Sequence, residues 1–192
     1  MNRRSFCGGA AIVIGVNLLP IEGCRPAPHS FKTNLKRNKT MNLQSRAFEA
    51  NASIPPRYTC DGVDVSPPLS WDDPPPETRS FAIVTDDPDA PGRTFVHWVA
   101  YNLPPETRDL PEGVPLGDRL ASGGVQGKND FGKIGYGGPC PPSGTHRYFF
   151  KLYALDRVLD LKPGATKAEL LQAIDGHILA ESELVGRYAR QR

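Results

Sequence analysis

Three apolar segments, residues 80–85, 94–103 and 146–155, constrain the fold of this chain most strongly. Each is rich in β-branched or aromatic side chains, and each ends at proline or aspartate, which is typical of buried strands. The 192 residues also include 20 prolines and 19 glycines. Because these residues interrupt regular structure, the composition favours short strands and turns over long helices.

A helix is predicted near the end of the chain, over residues 167–179. Its apolar side chains recur at helical spacing, at Leu170, Leu171, Ile174 and Ile178. Thr166 stands at the N-cap position and Glu169 follows three residues later, a pattern that predicts a capping box.

Shorter extended segments complete the expected fold. Residues 47–49 and 69–71 are predicted to form brief strands, and residues 184–188 a closing strand. Residues 106–144 contain ten glycines, and a loop of that length inside a compact domain is often functional. The predicted fold class is therefore mostly β, with residues 41–192 forming one antiparallel β-sandwich and a peripheral C-terminal helix.

The first 40 residues read as an export signal and a flexible tether. Arg3 and Arg4 precede Phe6 and an apolar run over residues 7–19, which resembles a twin-arginine signal. The small residue before Cys24 resembles a lipoprotein cleavage site, at which Cys24 would be acylated. The protein is therefore expected to be exported, as a periplasmic protein or a membrane-anchored lipoprotein.

An internal translation start is the alternative. Met41 opens a segment that would begin a cytoplasmic form of the same domain. The sequence has no run of roughly 18 apolar residues, so membrane contact is expected only through a lipid on Cys24.

Charge is distributed unevenly along the chain. Residues 1–40 contain seven basic side chains and one acidic side chain, whereas residues 41–192 contain 16 basic and 20 acidic side chains, a net charge of −4. An acidic domain is a poor match for a phosphate backbone, so nucleic acid is not an expected partner.

Four cysteines occur in the sequence, of which Cys7 lies in the predicted signal and Cys24 at the predicted anchor. In an exported domain the remaining two, Cys60 and Cys140, are expected to form a disulfide. Two unpaired thiols are the alternative, because sequence does not show whether two cysteines approach within bonding distance.

Polar residues adjoin all three predicted core strands. Asp87 and Asp89 follow the first strand, His97 interrupts the second, and His146 begins the third. A buried histidine needs partners for its ring nitrogens, and an aspartate is the expected partner of His97. If these strands are neighbours, the two imidazoles and a carboxylate converge at one end of the sandwich.

The glycine-rich loop before the third strand is expected to complete an anion site. Gly137 and Gly138 allow unusual backbone conformations, and consecutive N–H groups in such a loop can bind an anion. Pro141 and Pro142 would form a rigid apolar wall, and Tyr148 on the third strand would add a hydroxyl.

These segments resemble the sequence blocks of the phosphatidylethanolamine-binding, or Raf kinase inhibitor-like, family. The blocks are Asp87-Pro88-Asp89-Ala90-Pro91, His97 with the aromatic residue after it, and Gly138-Pro139-Cys140-Pro141-Pro142 followed by His146-Arg147-Tyr148. The resemblance to bacterial and archaeal members extends to Cys60-Asp61-Gly62, residues 66–71 and residues 135–138. The resemblance runs from about Met41 to Arg190 and implies a β-sandwich with a C-terminal helical region.

The resemblance also implies a pocket for phosphate or a phosphoethanolamine headgroup. Carried over by motif, its residues are Asp87, His97, Gly138, Pro141, Pro142, His146 and Tyr148. The expected function is non-enzymatic binding of a small anionic ligand, with no cofactor and no metal, and with modulation of a partner protein as a further expectation.

Two other functions fit parts of the sequence. Residues 106–144 could dock onto a protease or a cell-wall enzyme and inhibit it. Alternatively, the Asp/His pocket with Ser143 nearby could serve a hydrolase, although the chain lacks a Gly-x-Ser-x-Gly elbow. A metal site built from the same aspartates and histidines would lack the close ligand spacing typical of such sites.

Overall fold

The computed structural model describes residues 41–190, and the predicted export signal, tether and lipidation site at Cys24 lie outside them. The elements in this part of the chain are β1 (Asn42–Gln44), β2 (Leu69–Asp72), β3 (Ser80–Asp87), β4 (Phe95–Leu103), β5 (Asp109–Leu110), β6 (Val125–Gln126), β7 (Thr145–Leu155), α1 (Lys167–Ile174) and β8 (Ile178–Ala189). A single 3₁₀ turn within the described residues spans Pro56–Tyr58.

Two antiparallel sheets form the sandwich. The smaller sheet has the order β1-β2-β5 and the larger sheet the order β6-β4-β3-β7-β8. Their facing side chains form one core, in which Trp71 from the small sheet lies with Ile83, Trp98 and Phe150 from the large sheet. Burial of such large apolar side chains is the main stabilising contribution to the fold. The predicted antiparallel β-sandwich is confirmed.

The helix α1 covers the other face of the large sheet. Leu170 and Ile174 pack into a second core with Val84, Val99 and Leu155. The predicted capping box is present, since Thr166 Oγ1 accepts a hydrogen bond from the Glu169 N–H and Glu169 Oε2 accepts one from the Thr166 N–H. No helix in residues 41–190 is long and apolar enough to cross a bilayer.

Two predictions of secondary structure were wrong. The helix ends at Ile174 rather than near residue 179, because Gly176 turns the chain at a φ of 74° and Ile178 then pairs with Leu155 of β7. Residues 47–49 do not form a strand; the first strand lies earlier, at β1. These errors share a cause, because in both places a pairing partner distant in sequence decides the backbone conformation.

The strand β3 lies between β4 and β7, so the three predicted core strands are neighbours. It extends two residues beyond the predicted range of 80–85, and Asp87 is its last residue. The ladder between β3 and β4 shifts at His97, because Thr85 pairs with Trp98 whereas Asp86 pairs with Val96. Such a β-bulge re-aims a side chain, and this one lies at the end of the sheet where the site forms.

Candidate functional site

A cavity of about 230 Å³ opens where β3 ends and where β4 and β7 begin. Antiparallel pairing brings these strand ends to the same edge of the sheet. Six of the seven predicted site residues line the cavity, namely Asp87, His97, Pro141, Pro142, His146 and Tyr148. Gly138, the seventh predicted residue, is not among the lining residues. Five described residues that were not predicted also line the cavity, namely Ala90, Pro91, Phe95, Phe131 and Cys140.

Asp87 and His146 form a buried pair in this wall. Asp87 Oδ2 lies 2.7 Å from His146 Nδ1, and Asp87 Oδ1 accepts a hydrogen bond of 2.8 Å from the Asp89 N–H. Because an ionised carboxylate only accepts hydrogen bonds, Nδ1 of His146 carries a proton. The Nε2 atom is then the ring nitrogen of His146 that remains for a ligand.

His97 has a different partner from the one predicted. Its Nδ1 atom lies 2.7 Å from the Gly137 carbonyl oxygen, so the expected pairing with an aspartate was wrong for this histidine. A carbonyl can only accept, so Nδ1 is the donor. Burial lowers the pKa of His97 below its ordinary value, with the Gly137 carbonyl opposing the shift, and the ring is therefore neutral at pH 7.

The Tyr148 hydroxyl is fully buried and forms no hydrogen bond of good geometry among residues 41–190, and the Asp87 carboxylate is the acceptor close to it. Its ring contacts that of His97 edge to face, with centroids 5.2 Å apart. Burial, followed by the charge of Asp87, raises the pKa of this hydroxyl, so it stays protonated. A buried hydroxyl without a partner is costly, and Tyr148 is one of the residues that line the cavity.

The predicted anion-binding nest at Gly137 and Gly138 is contradicted by the structure. The Gly137 N–H donates to the His97 carbonyl oxygen at 2.9 Å, and the Gly138 N–H donates to Asp64 Oδ1 at 2.7 Å. Neither glycine has a positive φ. A Cβ on Gly138 would instead collide with the Tyr58 carbonyl oxygen, so close packing explains this glycine.

Phe131 closes one side of the cavity. Its ring lies 4.8 Å from that of Phe95 and 5.5 Å from that of His97, measured between centroids. The loop that carries it is held by Asn129, whose side chain donates to the Gly135 carbonyl oxygen at 2.9 Å and accepts from the Lys133 N–H at 3.0 Å. Sequence carries no local signal for this placement, because it depends on contacts between separate loops.

Asp89 fixes the turn beside the cavity and does not line it. It forms two side-chain hydrogen bonds with Arg147, at 2.7 and 2.9 Å, and accepts a third from the Arg147 N–H at 2.9 Å. The side-chain bonds to Arg147 are the main cause that lowers the pKa of Asp89 to about 2. This carboxylate therefore ties the turn after β3 to the start of β7.

Comparison with known proteins identifies the relatives of this chain. A family model described as phosphatidylethanolamine-binding protein matches residues 44–189. The chain belongs to the phosphatidylethanolamine-binding protein family. A UPF0098 protein of Methanothermobacter thermautotrophicus is 57% identical over 150 residues, which is 78% of this chain and 99% of the relative. A UPF0098 protein of Aquifex aeolicus is 47% identical over 164 residues, 84% of this chain and 95% of the relative.

Two crystal structures of members of this family resemble this one. A homolog from Chlamydia trachomatis has 44% identity and a TM-score of 0.74, covering 79% of this chain and 99% of its own. Escherichia coli YbcL, described as a member of the mammalian family, has 30% identity and a TM-score of 0.73, covering 80% of this chain and all of its own. The likeness therefore extends over the whole sandwich.

In this member of the family, Cys60 and Cys140 are joined by a disulfide, with their Cα atoms 5.4 Å apart. The alternative of two unpaired thiols does not describe this structure. Within residues 41–190, no group of three or more histidine, cysteine, aspartate or glutamate side chains could hold a metal ion. The disulfide links the cavity wall at Cys140 to the segment that follows the 3₁₀ turn.

Proposed function

We propose that this protein binds a small anionic group, phosphate or a phosphoethanolamine headgroup, in the cavity and does not catalyse a reaction. The observation that carries the proposal is the convergence of His97, His146 and Tyr148 on one small cavity, where the buried Tyr148 hydroxyl lacks a well-placed acceptor. An anionic oxygen would supply that acceptor.

The hydrogen bonds of Asp87 make its presence compatible with an anionic ligand. Both oxygens of Asp87 are already bonded, one to His146 and one to the Asp89 N–H. Its charge therefore acts mainly on these two partners. Nε2 of His146 would form a charge-assisted hydrogen bond with the ligand, whose oxygens are anionic.

The dimensions of the cavity favour a small ligand. Pockets for drug-sized molecules usually enclose about 300–1,000 Å³, whereas this cavity has a volume of about 230 Å³. Its polar groups converge at the strand ends, and the rest of the wall is mainly proline and aromatic side chains, with Ala90 and Cys140. This division suits an anionic head whose apolar substituent leaves through the mouth.

Binding is favoured over hydrolysis by the side chains present. Serine and threonine do not occur in the cavity wall that the described residues form, and Ser143 lies outside that wall. The raised pKa of Tyr148 keeps its hydroxyl protonated, which makes it a donor and a poor nucleophile. Assays with p-nitrophenyl phosphate and p-nitrophenyl acetate test this part of the proposal, which turnover above that of buffer would contradict.

Titration calorimetry with inorganic phosphate and with phosphoethanolamine tests the binding itself. His146→Ala should weaken binding at least about 10-fold, because it removes a charge-assisted hydrogen bond. His177→Ala is the matched control, since His177 also contacts an aspartate, Asp156, but lies outside the cavity. Equal affinity in the wild type and in His146→Ala would place the anion elsewhere.

We also propose that the domain is exported and works in an oxidising compartment. The Cys60–Cys140 disulfide supports this, because disulfides are rare in most cytosolic proteins. Anchoring through an acylated Cys24 belongs to the same proposal, as does the expectation that nucleic acid is not a partner. N-terminal sequencing of the native protein tests export, and a first residue of Met41 would contradict it.

A further inference from the structure

The disulfide lies at the edge of the cavity, and its two cysteines have different surroundings. Cys140 is exposed and belongs to the cavity wall, whereas Cys60 is half-buried and does not line the cavity. An incoming group that enters the cavity therefore meets the Cys140 side of the bond first.

The wall beyond Cys140 depends on this bond for its position. Two backbone hydrogen bonds hold the residues just before Cys140. The Gly138 N–H donates to Asp64 Oδ1 at 2.7 Å, and the Cys60 N–H donates to the Pro139 carbonyl oxygen at 3.1 Å. From residue 140 to residue 144, the described part of the chain forms no backbone hydrogen bond before β7 begins. The prolines of the wall have no N–H group to donate.

We propose that Cys140 is a modification site for low-molecular-weight thiols and that thiol–disulfide exchange there blocks the anion cavity. The thiolate of the incoming molecule attacks Sγ of Cys140 and forms a new S–S bond. The bond between Cys140 and Cys60 breaks, and Cys60 leaves as a thiolate that takes up a proton from water. One disulfide replaces another, so no further oxidant or reductant is needed. Access decides which sulfur is attacked.

The adduct would close the site in two ways. The group attached to Cys140 would occupy the cavity mouth, and the released wall at Pro141 and Pro142 would no longer be tied to Cys60. The reaction is reversible, because the Cys60 N–H bond to Pro139 keeps the released thiol close to the mixed disulfide. The effect on binding rests on the proposed anion function, whereas the modification itself does not.

Mapping the adduct tests the modification. The wild-type protein is incubated with reduced glutathione, quenched with acid and digested without reduction for mass spectrometry. We expect the glutathionyl group on Cys140 and a free thiol at Cys60. An adduct found mainly on Cys60, or no adduct under conditions that open the disulfide, would overturn the proposal.

Two variants that each lack one cysteine of the disulfide test the effect on binding. Cys60→Ser leaves Cys140 without its disulfide partner and Cys140→Ser leaves Cys60 without it, and each is treated with glutathione disulfide. Modified Cys60→Ser should bind inorganic phosphate at least about 10-fold more weakly than the same variant unmodified, with recovery on reduction. Modified Cys140→Ser should match its own unmodified form. Equal phosphate affinity of modified and unmodified Cys60→Ser would contradict the blocking role. Absence of phosphate binding to the unmodified wild type would instead refute the anion function and leave the adduct map intact.

Discussion

Asp87 and His146 meet across β3 and β7 with Oδ2 and Nδ1 2.7 Å apart, in side chains that are only 4% and 10% exposed. The chain contains a second pair of the same chemistry, in which Asp156 Oδ1 lies 3.0 Å from His177 Nδ1. That pair is 44% and 28% exposed. The two pairs differ mainly in burial, which makes each a reference for the other.

Asp87→Asn should lower the free energy of unfolding by about 1–3 kcal/mol, because it removes the charge from a buried hydrogen-bonded network. Asp156→Asn should change it by less than about 1 kcal/mol, since water screens an exposed pair. Urea denaturation at pH 7 measures both. Equal losses in the two variants would show that the buried pair has no special structural role.

Tyr148→Phe should weaken phosphate binding without lowering the stability of the fold. The substitution removes a buried hydroxyl that forms no hydrogen bond of good geometry, so the free energy of unfolding should stay the same or rise by about 1 kcal/mol. Phosphate affinity should fall about 3- to 10-fold, because a hydrogen bond to the ligand is lost.

Tyr136→Phe is the control for this experiment. The Tyr136 hydroxyl is also buried but donates to the Tyr58 carbonyl oxygen at 2.8 Å. Removing it should therefore destabilise the protein by about 1–3 kcal/mol. Denaturation and calorimetry on both variants check the contrast, and a clear loss of stability in Tyr148→Phe would mean that its hydroxyl has a partner in solution.

Stability should fall on mild acidification because of His97. Burial lowers its pKa in the folded protein below 6.5, whereas the unfolded chain takes up a proton at about 6.5. Below that pH the unfolded state binds more protons, so the free energy of unfolding falls by up to about 1.4 kcal/mol per pH unit until the folded-state pKa is reached.

His97→Asn isolates this contribution, because asparagine keeps an N–H donor for the Gly137 carbonyl but does not titrate. Urea denaturation between pH 7 and about pH 5 should show a shallower loss of stability in the variant than in the wild type. Parallel pH profiles would mean that His97 titrates alike in the folded and unfolded chains.

Local patterns were enough to predict the strands and most of the cavity. The runs that became β3, β4 and β7 are apolar, β-branched or aromatic, and end at proline or aspartate, so their identity depends little on context. Because all three are antiparallel neighbours, Asp87 at the end of one and His146 near the start of another meet at one edge.

Long-range contacts explain what the sequence did not reveal. The partner of His97 follows from a bulge in β4 and from a loop about 40 residues away, which no local pattern encodes. Phe131 reaches the cavity through a loop shaped by buried side chains such as Asn129. The sequence suggested that Gly138 is needed for an unusual backbone conformation. In the structure, Gly138 is needed because another segment packs where a side chain would lie.

Gly138→Ala should therefore damage both the fold and the site. A methyl group there would collide with Asp64 Oδ1 and the Tyr58 carbonyl oxygen, so the free energy of unfolding should fall by about 1–3 kcal/mol. Phosphate affinity should fall as well, since the shifted loop carries the prolines of the wall.

Gly176→Ala is the control for that pair of effects. Gly176 has a φ of 74° with no atom near its Cβ position, and it lies in the turn between α1 and β8. The Gly176→Ala substitution should lower the free energy of unfolding by about 1–2 kcal/mol through backbone strain alone and leave phosphate affinity unchanged. Denaturation and calorimetry on both variants test this, and unaltered phosphate binding in Gly138→Ala would show that the cavity wall tolerates displacement of its loop.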